Sequence, residues 1–124
     1  MSELSHYDEK DGIRMVDVSE KAVTKRRAVA SGKVLLTPET LSILSKNENP
    51  KGNPLEIARI AGIMAAKRTS DLIPLCHQID LSKANVSVEF AEFGIQIEAE
   101  AITTGQTGVE MEALAAASVA ALTL

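Results

Sequence analysis

The chain has 124 residues, 45% hydrophobic and 24% charged, an ordinary composition for one compact domain that excludes a fibrous or disordered chain. A formal net charge of −4, with one tyrosine, two phenylalanines and no tryptophan, provides neither a basic surface for a nucleic-acid backbone nor a platform for stacked bases. Cys76 is the single cysteine, so an intrachain disulfide and a cysteine zinc site are both excluded, which fits a reducing cytoplasm; neither a metal cage nor a cofactor motif is legible.

In chain order, residues 1–12 are polar and charged with no apolar run, which predicts a mobile arm rather than a signal or membrane segment. Residues 13–124 then read as one domain. Residues 13–18 suggest a short strand, and residues 24–36, with Ala28, Ala30, Val34 and Leu36 in rough alternation, predict an extended segment. Thr37 followed by Pro38 reads as N-cap and first turn of a short helix to about Lys46, with Leu36 and Leu41 placed as a staple. After a loop over 47–52, Asn53, Pro54 and Glu56 start a second helix reaching Lys67, whose apolar stripe is Ile57, Ile60, Ala61 and Met64.

Pro74 forces Leu75, Cys76 and His77 out of helical backbone. Val86, Val88 and Phe90, then Ile97, Ala99 and Ala101, alternate with polar residues across a turn containing Gly94, so a hairpin with one wet face is expected. Thr107 and Glu110 form the pattern of a capping box, and Met111, Ala115, Ser118, Val119 and Leu122 make a stripe on a last helix that lacks a stop signal before Leu124. Helices interspersed around a hairpin predict an α+β fold with helices on one face of a largely antiparallel sheet.

Several polar residues stand where loops and helix ends would expose them. Arg26 shares the apolar side of its segment with Ala28 and Ala30, where a guanidinium needs an anionic partner. Lys51 lies between Pro50 and Gly52 just before a helix N-terminus, a place that favours anions, although a loop lysine in water reads the same way. Lys67 in a last turn is favoured by the helix dipole without any function. His77 suits proton transfer or ligand hydrogen bonding, and a structural histidine is the plainer alternative. A Cys76, His77, Asp80 triad is rejected, because adjacent side chains on extended backbone point apart. Glu110 has capping duty, and Glu112 suits the N–H edge of a purine-like ring.

Leu75, Cys76 and His77, the run from Gly108 through Val109, Glu110, Met111, Glu112 and Ala113 to Leu114, and residues 58–72 closely resemble the molybdenum cofactor biosynthesis protein C family. Further matches are Met15, Val16, Asp17 and Val18; Thr24, Arg26, Ala28 and Ala30; and Lys51 with Gly52, so the likeness covers residues 15–124. It implies a ferredoxin-like domain, a trimer of dimers with active sites shared between subunits, and no separate cofactor. The activity it implies converts 3′,8-cyclo-7,8-dihydro-GTP to cyclic pyranopterin monophosphate with release of pyrophosphate. By resemblance, Leu75, Cys76, His77, Met111 and Glu112, with Glu110 beside them, hold the pterin precursor; Arg26 and Lys67 contact phosphates; Lys51 is a catalytic acid or base.

One departure stands out: the family continues its final helix with Tyr, Asp, Met, any residue, Lys, Ala, whose aspartate and lysine are counted as catalytic, and this sequence reaches Leu124 before them. The expectation is that the sequence is part of a longer enzyme. The alternatives are a truncated, non-catalytic nucleotide-binding or assembly subunit, and an unrelated α+β interaction domain.

Overall fold

The computed structural model describes residues 7–8, 12–13, 15–20, 22–46 and 52–124. Its elements are β1 (Tyr7–Asp8), β2 (Gly12–Ile13), β3 (Thr24–Leu35), α1 (Pro38–Ser45), α2 (Pro54–Lys67), α3 (Thr69–Leu72), β4 (Lys83–Ala91), β5 (Gly94–Gly105) and α4 (Glu110–Thr123). Among the described residues β1 and β2 pair only with each other. The main sheet is antiparallel, in the order β3-β5-β4, with α2 and α4 packed together against it. Thus the expected α+β layering holds, with helices packed on an antiparallel three-stranded sheet and the order β3, α2, β4, β5, α4 following the first five elements of a ferredoxin-like motif once α1 and α3 are set aside.

Alternation along β5 sets the layers. Ile95, Ile97, Ala99, Ala101 and Thr103 are buried, while Gln96, Glu98, Glu100 and Thr104 lie on the other side. On that wet face the Glu100 carboxylate accepts from Arg27 Nε at 2.6 Å and pairs with Lys83 Nζ at 3.0 Å, which bridges all three strands. The core between sheet and helices consists largely of small residues: Ala30 on β3, Ala58 and Ala66 on α2, and Ala113, Ala116 and Ala120 on α4.

This composition corrects the two helical stripes read from the sequence. The buried face of α2 is Ala58, Gly62, Ala65 and Ala66, whereas Ile57, Ile60 and Met64 are exposed. On α4 the buried residues are Glu112, Ala113, Ala115, Ala116, Ala117 and Ala120; Met111, Ser118 and Leu122 face outward. Close approach is the reason: a Cβ on Gly62 would stand 2.9 Å from the Ala116 carbonyl oxygen, so only the small-residue faces fit together at this separation.

Three smaller expectations also meet the structure. The caps of α1 and α2 are as read, with Thr37 Oγ1 accepting from Thr40 N–H at 3.2 Å and Asn53 Oδ1 accepting from Leu55 N–H at 3.1 Å. Residues 15–18 are not a strand: Asp17 Oδ1 accepts from Ser19 N–H at 2.9 Å, a side-chain turn that bends the backbone out of extension. The capping box at Thr107 also fails, because α4 is capped at Val109 without a side-chain hydrogen bond, two residues beyond Thr107.

Candidate active site

A cleft of about 360 Å³ opens where the loop after α3 meets the start of α4. The loop supplies Leu75, Cys76 and His77, the helix supplies Glu110, Met111 and Glu112, and Val16 and Val18 form a third wall. Pro74 produces the turn that presents this loop. Leu75 at φ 64 is the one non-glycine residue with positive φ among the described residues, a conformation that costs an L-residue about 1–2 kcal/mol. Backbone strain of this kind gathers at functional sites. The loop is tied to the sheet beyond, where Thr103 Oγ1 donates to the Asp80 carbonyl at 2.6 Å and Ser82 N–H to the Ile102 carbonyl at 2.8 Å.

Glu112 is the unusual group in this cleft. It is 2% exposed, and its Oε1 has no hydrogen-bond partner among the described residues. The other two buried polar residues are satisfied: Thr69 Oγ1 donates to the carbonyls of Ala65 and Ala66, and Thr103 to Asp80. Burial pushes the Glu112 carboxyl above the usual carboxylate range; its own backbone N–H pulls the other way, and the neighbouring Glu110 adds to the rise. The Cys76 thiol is raised by burial first and then by the charges of Glu112 and Glu110. A thiol raised in this way is a poor nucleophile, so the arrangement suits binding and proton exchange.

Glu110 folds its carboxylate back over Gly108, leaving no room there for a Cβ.

The structure therefore brings together six of the sequence-predicted site residues: Leu75, Cys76, His77, Glu110, Met111 and Glu112. Arg26 does not line the cleft. Its Nε donates to the Gly105 carbonyl at 3.1 Å and its Nη2 to the Ala22 carbonyl at 3.3 Å, so the anionic partner expected of it is replaced by backbone oxygens. Lys67 is exposed at the end of α2, outside the cleft wall, and Lys51 lies outside the described residues. Sequence reasoning missed Val16, Val18, Thr107 and Gly108 as wall residues; the alternation of Val16 and Val18 around Asp17 was the available signal. Among the described residues no three His, Cys, Asp or Glu side chains converge as metal ligands, and no helix is long and apolar enough to cross a membrane.

Comparison with known proteins places this geometry in context. The chain is 54% identical over 125 residues to a cyclic pyranopterin monophosphate synthase of Chloroflexus aurantiacus, covering 99% of this chain and 77% of that protein. It is 53% identical over 123 residues to the synthase of the same description from Parvibaculum lavamentivorans, again covering 77% of it. A molybdenum cofactor biosynthesis bifunctional protein of Chlorobaculum tepidum is 55% identical over 122 residues, of which this chain spans 39% of the length. The matching family model runs over residues 15–124, which takes in the Val16 and Val18 wall, the Leu75 to His77 loop and the start of α4, and the chain belongs to the MoaC family.

Proposed function

We propose that the chain works in molybdenum cofactor biosynthesis as a cyclic pyranopterin monophosphate synthase, a lyase that converts 3′,8-cyclo-7,8-dihydro-GTP to cyclic pyranopterin monophosphate and pyrophosphate. The observation that carries this reading is the buried Glu112 carboxyl in the wall of the cleft, whose Oε1 has no partner among the described residues. Such a group is costly unless a ligand supplies its hydrogen bonds, and the N1–H and 2-amino edge of a guanine-derived ring is a matching donor pair. Leu75, Cys76, His77 and Met111 would hold the ring, with Glu110 at the mouth.

The triphosphate needs cations, and among the described residues none that lines the cleft is a lysine or arginine. Lys51, Arg26 and Lys67 are the candidates for phosphate contacts. Arg26 keeps free donors after its two carbonyl bonds. Lys51 is assigned the proton transfers that accompany ring closure. The lack of a lysine or arginine among the described lining residues also supports an oligomer, a trimer of dimers, in which sites are shared between subunits. The reducing environment suited to a lone thiol supports a cytoplasmic location.

The test is turnover by the full-length protein with the cyclised GTP precursor, following pyrophosphate. Wild type should release it and Lys51→Ala should not. Precursor binding without pyrophosphate release by wild type would instead make this a nucleotide-binding or assembly subunit.

A further inference from the structure

Glu112 has a consequence beyond the shape of the cleft, and it rests on the functional reading above. Its Oε1 is buried with no partner among the described residues, and the cleft that Glu112 lines is also walled by Val16, Val18, Ile73 and Leu75 together with a second carboxylate, Glu110. The titratable groups facing it are Glu110 on its own helix and Cys76 and His77 on the loop after α3. Among the described residues, the strands, α2 and α3 contribute no charged group to this wall, and residues 15–18 contribute only the two valines. Burial and then the neighbouring Glu110 carboxylate disfavour the anion there, against the pull of Glu112's own backbone N–H.

We propose that Glu112 stores a proton in the empty cleft and releases it to solvent when the two adjacent N–H donors of a guanine or pterin ring edge enter. The neutral acid presents one O–H donor and one acceptor, so it meets a pair of N–H donors with a donor against a donor. The carboxylate accepts from both. On binding, the O–H bond of Glu112 breaks, the proton passes to the buffer, and two N–H···O hydrogen bonds take its place. Ligand affinity therefore strengthens as pH rises toward the value at which the empty-site acid ionises, by up to about tenfold per pH unit, and then levels off. An adenine edge, with an acceptor at N1 and a donor at the 6-amino group, matches the neutral acid and asks for no proton release.

Titration calorimetry of the full-length protein with GTP, in two buffers of different ionisation enthalpy near neutral pH, reads the protons exchanged directly. GTP keeps the same ring edge as the cyclised precursor, and ATP with its identical triphosphate controls for protons lost from the phosphates. The expected result is proton release with GTP, up to one per site, in excess of that with ATP, and loss of the excess in Glu112→Gln. Equal release for GTP and ATP on wild type overturns the proposal, and this comparison stands even where the variant no longer binds. An excess that persists unchanged in Glu112→Gln also overturns it. Wild type that neither binds GTP nor turns over the cyclised precursor overturns the functional reading as well, whereas turnover without proton linkage overturns this inference alone.

Discussion

Gly62→Ala sets two effects of opposite sign against each other. In an exposed helix interior the change stabilises by about 0.8–1 kcal/mol, because alanine loses less backbone freedom on folding. At Gly62 the new Cβ would stand 2.9 Å from the Ala116 carbonyl oxygen, 3.1 Å from Val86 Cγ2 and 3.3 Å from Ala120 Cβ. The first of these is backbone of the neighbouring helix and cannot rotate away, so α2 and α4 must part by roughly half an ångström, which forfeits about a quarter of each dispersion contact along the seam. Overpacking of this kind costs about 1–3 kcal/mol, which exceeds the propensity gain and leaves a net loss of roughly 1 kcal/mol. In a domain of this size that loss lowers Tm by about 3–5 °C. Urea and thermal unfolding followed by circular dichroism measure it, with Ser118→Ala on the outer side of α4 as the comparison, expected to gain about 0.3–0.5 kcal/mol. A Gly62→Ala protein as stable as wild type would refute the close helix seam on which the whole core argument depends.

Three further outcomes follow from the cleft. Leu75→Val places a β-branched side chain at a φ of 64 and should lose about 1 kcal/mol or more in urea unfolding; an unchanged midpoint would mean the loop is not held in that conformation. Cys76 should react with iodoacetamide more slowly than a peptide thiol at mildly alkaline pH, because burial and then the two glutamates raise it, and Glu112→Gln should quicken the reaction. Glu112 also makes folding stability depend on pH. Above the ordinary carboxylate range the unfolded chain ionises this group while the folded chain keeps its proton, so the unfolded state binds fewer protons and stability falls as pH rises until the folded group ionises too. Each unit of that rise corresponds to about 1.4 kcal/mol, and a stability curve for Glu112→Gln parallel to wild type across this range would contradict it.

Much of the fold was legible because strands and caps are local. The alternation of β5, the Thr37 and Asn53 caps and the break at Pro74 depend on neighbours in sequence, and each appears where it was read. The helix faces were misread for a tertiary reason. Ile57, Ile60 and Met64 form a proper helical stripe, yet the opposite stripe, built around Gly62 and alanines, wins because it allows the helices to approach. The capping pattern at Thr107 was overridden by Glu110 folding over Gly108, which no spacing rule anticipates. At the site, the loop and the start of α4 that the family motifs named line one cleft. The motifs could not show that Glu112 is buried with Oε1 unpartnered, in a cleft also lined by Val16 and Val18 from nearly a hundred residues away in sequence.

The most direct test of the central claim, that this cleft holds the reacting ring through Glu112, is kcat/KM of the full-length protein for the cyclised GTP precursor, wild type against Glu112→Gln. Losing a hydrogen bond to a buried charged acceptor is worth about 1.5–3 kcal/mol, so the account predicts a fall of roughly ten- to a hundredfold. An unchanged kcat/KM in a folded Glu112→Gln protein would place the substrate elsewhere and contradict the account.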